Sequence, residues 1–103
     1  MRYKRIVPAY MDAQIDVCVA YIVQTLRNFD AARSILDDIA AVYERLEHLP
    51  EATPLCRDTY LRAKEYRKIA LPHHNYLLIY RVAAQTVYIV GFFHILENDR
   101  EKL

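Results

Sequence analysis

The run Tyr66-Arg67-Lys68-Ile69-Ala70-Leu71, the break Pro72-His73-His74-Asn75, the run Tyr76-Leu77-Leu78-Ile79-Tyr80-Arg81-Val82, the break Ala83-Ala84-Gln85 and the run Thr86-Val87-Tyr88-Ile89-Val90-Gly91-Phe92-Phe93-His94 decide the fold. All three runs are dense in Tyr and β-branched residues, which suit a pleated, half-buried surface, and all three alternate with a period of two. The breaks between them are short. Three strands in an antiparallel meander are therefore expected over 66–71, 76–82 and 86–94.

Successive side chains of a strand point to opposite faces, so each run sorts into two sets. In the first, Arg67, Ile69 and Leu71 form the inward set, leaving Lys68 outward with Tyr66 and Ala70. In the second, Tyr76, Leu78, Tyr80 and Val82 alternate with Leu77, Ile79 and Arg81. In the third, Val87, Ile89, Gly91 and Phe93 alternate with Tyr88, Val90, Phe92 and His94. Neither face of the last two strands is polar, which is unusual for a sheet covered on one side only. Two coverings suit such a second face: the segment 50–65 or the C-terminus of this chain, or a partner molecule.

Working outward from the meander, residues 50–65 contain Pro50 and Pro54 and no sustained period, and read as a loop. Upstream, Ala32, Ile35, Leu36, Ile39, Val42, Tyr43, Leu46 and Leu49 follow helical spacing, and so do Ile15, Cys18, Val19, Ile22 and Leu26 within 9–27. Asn28-Phe29-Asp30 separates the two helices and offers two N-cap candidates. So short a break folds them into an antiparallel hairpin, with the second helix ending near His48 before Pro50. Residues 2–7 make a short first strand that Pro8 ends. Residues 98–103 are polar and read as one further helical turn. The order is β-α-α-β-β-β: an α+β fold with a helical hairpin on one face of a small antiparallel sheet, a single domain over 1–103.

Apolar residues at 54% and charged residues at 26% place the chain among packed globular proteins and outside the disordered range. A single glycine excludes glycine-rich phosphate loops. Cys18 and Cys56 lack the spacing of a redox or zinc pair, and His73 and His74 have no Cys or carboxylate nearby in sequence to complete a metal set. No metal and no cofactor are expected, and the two histidines read as solvated turn residues. With no apolar leader, no apolar run near ~20 residues and free thiols, the expected location is cytoplasmic, off the membrane.

The net charge of +1 creates no overall field toward nucleic acid, but its distribution is two-sided. Residues 6–56 carry three Arg against eight acidic residues, whereas 57–81 carry Arg57, Arg62, Lys64, Arg67, Lys68 and Arg81 against Asp58 and Glu65. The basic segment is the natural dock for an acidic partner.

The strings Tyr66-Arg67-Lys68-Ile69, Asn75-Tyr76-Leu77-Leu78-Ile79-Tyr80-Arg81-Val82, Val87-Tyr88-Ile89-Val90 and Phe93-His94, in this order, resemble the C-terminal half of the RelE/ParE superfamily of bacterial toxins. The tandem helices around Asn28-Phe29-Asp30-Ala31-Ala32 are similar to its N-terminal half. The resemblance implies the toxin of a type II toxin–antitoxin module, neutralised by a cognate antitoxin whose extended or helical segment wraps it, in a heterotetramer or a higher complex. Two activities share this fold: ribosome-dependent mRNA cleavage on the RelE-like side and inhibition of DNA gyrase on the ParE-like side. A member that has lost toxicity and only binds is the third reading.

Cleavage of RNA by its own 2′-hydroxyl needs a base, an acid and cations around the developing phosphorane. If this chain is such an enzyme, the resemblance gives the catalytic roles to Lys68, Arg81 and His94. Ala70 stands where a second Lys is common and Leu77 where an Arg often follows the strand Tyr. The loss of two cations from a phosphate clamp favours the ParE-like side. Expected partner-binding residues are Arg62, Lys64, Lys68, Arg81 and Phe92. Arg67, Tyr76 and Tyr80 are expected to be structural, with Arg67 paired to a helix carboxylate such as Asp37, Asp38 or Glu44 because a buried guanidinium needs a partner.

Overall fold

A computed structural model describes residues 2–97 and 103. The elements are β1 (Lys4–Ile6), α1 (Ala9–Gln24), α2 (Phe29–His48), a 3-10 turn (Pro50–Ala52), α3 (Thr59–Ala63), β2 (Arg67–Ala70), β3 (Tyr76–Ala83) and β4 (Thr86–His94). The expected turn over 98–103 lies almost wholly outside the described residues.

The helical hairpin forms as its capping residues dictate. The Asn28 side chain accepts from the Ala31 N–H at 3.0 Å and starts α2, with Asp30 in its first turn. Arg27, at φ 54°, takes the left-handed conformation and turns the chain out of α1. The first helix therefore stops at Gln24 rather than at residue 27, and Leu26 lies outside it, exposed. Met11, Ile15 and Ile22 of α1 and Ile35, Ile39, Val42 and Leu46 of α2 are buried against Leu78, Tyr80, Val87, Ile89 and Phe92 of the sheet.

The sheet order is β1-β4-β3-β2. Strands β2, β3 and β4 make the expected antiparallel meander, but β1 joins the outer side of β4 in parallel, Lys4 opposite Thr86 and Ile6 opposite Tyr88, so the sheet is mixed. The helical hairpin supplies the long crossover that a parallel pair needs.

Simple alternation along β4 breaks at a bulge. Ile79 pairs with Gly91 and Tyr80 with Ile89, which leaves Val90 without a partner on β3. Beyond that extra residue the two side-chain sets exchange faces, so Ile89 and Phe92 both enter the helix-side core while Gly91 and Phe93 turn to the other face. The second face is closed at its centre, where Ile79 is 0% and Phe93 4% exposed.

The segment 50–65 is more ordered than a loop. Asp58 Oδ1 accepts from the N–H groups of Tyr60 and Leu61 at 2.9 and 3.1 Å, nucleating α3 and burying Leu61. The preceding stretch runs along the edge of β2, with Leu55 bridged to Arg67 and the Cys56 N–H donating to the Tyr66 carbonyl at 2.9 Å. A five-residue helix is too short to leave a period in the sequence.

Candidate functional site

On the second face of the sheet, cations and tyrosine rings interleave. Arg81 of β3 lies over the Tyr88 ring of β4, 4.9 Å from its centroid. Lys64, just after α3, lies 4.5 Å from the Tyr60 ring and 5.9 Å from that of Tyr66, and its amine donates to the Leu103 carbonyl oxygen at 2.7 Å. A hydrogen bond with Tyr60 is the main cause that holds the Lys64 amine above the usual lysine range. Lys68 sits opposite Ile79 on the same face, diagonal to Arg81. Arg62 is exposed on α3. Four of the five expected partner-binding residues thus lie on α3, the turn after it and the adjoining strands β2 and β3.

The fifth, Phe92, points the other way. It is only 6% exposed, belongs to the helix-side core and stacks on Tyr76 with ring centroids 5.0 Å apart. The bulge at Val90 is the reason, since without it Phe92 would share the outer face with Tyr88.

Lys68, Arg81 and His94 do not converge. Lys68 and Arg81 are on the outer face, whereas His94 pairs with Tyr76 and sets its ring edge-on to that core-side tyrosine, 5.2 Å between centroids. From the Tyr76 level to Arg81 is five residues of strand, roughly 17 Å. His94 is occupied in a strand-end turn: its Nδ1 accepts from the Leu96 N–H at 3.2 Å, and its own N–H donates to Glu97 at 2.9 Å.

Arg67 does not take the carboxylate partner expected from its sequence. Its guanidinium donates to the Thr53 carbonyl, in the segment that runs along the β2 edge. Asp38, one of the carboxylates considered, is 4% exposed and is engaged elsewhere: its Oδ2 accepts from the His73 backbone N–H at 2.8 Å and its Oδ1 lies 2.7 Å from His73 Nδ1. His74 Nε2 lies 2.8 Å from Ser34 Oγ. His73 is exposed in the turn as expected and His74 is half-buried, but both are also hydrogen-bonded and tie the β2–β3 connection to α2. Burial opposes ionisation of Asp38, but its hydrogen bonds with the His73 side chain and backbone, and the nearby imidazoles of His73 and His74, outweigh it and hold the carboxyl below the usual aspartate range. Tyr80 is fully buried, and its hydroxyl donates to the Pro50 carbonyl at 2.6 Å.

A second feature, not evident from the sequence, is an open groove of about 570 Å³ between α1 and the far end of β4. Ala13, Gln14, Val17, Cys18 and Tyr21 form its helical wall, and Tyr76, Phe92, Phe93, His94 and Glu97 form the rest. A hydrogen bond with the Cys18 thiol, then burial and the nearby charges of Glu97 and Tyr21, push the Tyr76 hydroxyl up to about 12. Val17 is 71% and Tyr21 55% exposed beside the groove, and Leu96 is 86% exposed near its end. Beside the groove, apolar surface is thus left wet on α1 and the strand end, whereas the centre of the sheet is covered. The only sequence signal for it is that α1 carries apolar residues, Ala13, Val17 and Tyr21, on the side its core set does not use. No group of three or more His, Cys, Asp or Glu side chains among the described residues is arranged to hold a metal ion, and no helix among them is long and apolar enough to cross a membrane.

Residues 11–98 match the family model described as ParE toxin of type II toxin–antitoxin system, parDE. The chain belongs to the ParE toxin family. Among solved structures, this ParE-family chain is similar to the chromosomal ParDE TA system from P. aeruginosa, with a TM-score of 0.67 and 14% identity, over 90% of this chain and 96% of that chain. At that identity the likeness is one of fold. No curated protein sequence matches this ParE-family chain.

Proposed function

We propose that this chain is the growth-inhibiting toxin of a toxin–antitoxin pair, that it acts by binding DNA gyrase without breaking bonds of its own, and that a co-expressed antitoxin neutralises it by direct contact. The observation that carries this reading is the separation of Lys68 and Arg81 from His94 across the two faces of the sheet. General acid–base cleavage requires its groups within hydrogen-bond reach of one reacting centre. A binding inhibitor has no such requirement. The outer face also holds Ala70 and Leu77 where cations would complete a phosphate clamp, and Arg81 is spent on a tyrosine ring.

Arg62, Lys64, Lys68 and Arg81 are the residues that would receive an acidic segment of the antitoxin, since like-signed side chains spread over α3, β2 and β3 steer an oppositely charged partner. Inducing the chain in bacterial cells without its antitoxin tests the activity. Growth should stop with a DNA-damage response and intact transcripts, and the double substitution Lys68→Ala with His94→Ala should still arrest growth. Cleaved transcripts that become intact in the double variant would establish the RelE-like reading instead; normal growth on induction would establish the member without toxicity.

A further inference from the structure

The chain has four histidines, and the partner of each decides which ring nitrogen of the neutral imidazole carries the proton and which keeps a lone pair. At His94, Nδ1 accepts from the Leu96 N–H at 3.2 Å, which puts the proton on Nε2. At His48, Nε2 lies 3.4 Å from Glu44 Oε1; a carboxylate only accepts, so Nε2 holds the proton and the lone pair is on Nδ1, beside the ring's own Cβ. His74 Nε2 is taken up by Ser34 Oγ at 2.8 Å. His73 differs from all three. Its Nδ1 lies 2.7 Å from Asp38 Oδ1 and its backbone N–H donates to Oδ2 at 2.8 Å, two bonds to one carboxylate that hold the ring in place. Here Nδ1 carries the proton and Nε2, the less hindered nitrogen, keeps the lone pair. Asp38 is 4% exposed whereas the His73 side chain is 73% exposed, and its Nε2 has no partner among the described residues. A buried carboxylate behind an imidazole keeps this tautomer and offsets the positive charge that the ring gains when its other nitrogen forms a bond.

We propose that His73 Nε2 is a phosphoryl-acceptor site, which takes its group from a phosphoramidate-type donor, one whose phosphorus is bound to nitrogen. The Nε2 lone pair attacks phosphorus, the Nε2–P bond forms as the donor's P–N bond breaks, and the protonated donor nitrogen leaves as ammonia with the electron pair of that bond. No proton has to leave the ring. Nδ1–H stays on Asp38, whose negative charge faces the phosphorylated imidazolium, so the link from the β2–β3 connection to α2 survives the modification. The surroundings suit a small, hydrated, charged group, since Pro72 and Asn75 on either side of the two histidines are exposed. The proposal does not depend on the toxin–antitoxin reading.

Incubating the full chain with potassium phosphoramidate in mildly alkaline solution tests this, with the labelled residue located by tandem mass spectrometry and the ring nitrogen by phosphorus–proton NMR. His73 should be labelled about 10-fold faster than His48, through Nε2, with His74 and His94 slower still. His73→Gln should remove the fast phase alone. Asp38→Asn should bring His73 down to about the rate of His48 while the rate at His48 stays where it was, a split that general loosening of the fold would not produce. Where Asp38→Asn does not fold, the ranking of the four histidines in the parent chain decides by itself. Equal labelling of the histidines, a faster His48 or His94, label on Nδ1 of His73, or a His73 rate untouched by Asp38→Asn would each overturn the proposal.

Discussion

Tyr80 and Tyr43 carry the same hydroxyl into opposite circumstances. That of Tyr80 donates to the Pro50 carbonyl and fastens the 3-10 turn to the core, whereas that of Tyr43 is buried with no hydrogen-bond partner among the described residues while Arg5 lies over its ring at 4.5 Å. Removing one half of a buried hydrogen bond strands the other half, but removing an unpaired hydroxyl strands nothing. Tyr80→Phe should therefore lower stability by about 1–2 kcal/mol and Tyr43→Phe should leave it unchanged or slightly higher, as read by urea unfolding. Asp38 extends the same logic to pH. Its folded-state carboxyl is held below the ordinary aspartate range, so its contribution is complete above that range and disappears as pH falls through the lower, folded value. Asp38→Asn should cost about 1–3 kcal/mol near neutral pH, and the gap from the parent should shrink as the solution is made more acid. Gly91 is the third case. A Cβ there would meet the Phe93 ring at 2.3 Å, so the ring lies over the glycine on the outer face. Gly91→Ala should destabilise by about 1–3 kcal/mol, and in a Phe93→Ala background the same change should cost little.

At the scale of elements, the β3–β4 turn is built against the grain of its residues. Ala84 and Gln85 both take positive φ, 49° and 66°, in a two-residue hairpin loop that ordinarily calls for an asparagine followed by a glycine. The double substitution Ala84→Asn with Gln85→Gly should raise stability by about 1 kcal/mol in thermal or urea unfolding, because alanine in the left-handed region is strained. The strands β3 and β4 were legible from period and composition alone, and so was the helical hairpin with Asn28 at its junction. Three things were not. The parallel seat of β1 depends on where the helical hairpin returns the chain, which three exposed residues do not encode. The bulge at Val90 is a register choice: Val90 has the same side chain whether it pairs or not, and the change sent Phe92 inward. Asp58, a good N-cap, was the one available signal for α3. Among single residues, the His73–Asp38 and Arg67–Thr53 pairs join positions 35 and 14 residues apart, a distance over which sequence spacing carries no geometry.

Across the whole molecule, two surfaces stand apart. Cations and tyrosines cover the outer sheet face beside α3, and an apolar groove lies between α1 and the end of β4. Lys68 and Arg81 belong to the first surface, whereas His94 lines the second. Both adjoin one sheet, whose other side is packed on the helical hairpin. The most direct measurement is supercoiling of relaxed plasmid by purified gyrase, titrated with the purified chain, with a translated transcript incubated in parallel. Supercoiling should stall in proportion to added chain while the transcript stays whole; unimpeded supercoiling beside a cut transcript would contradict the account.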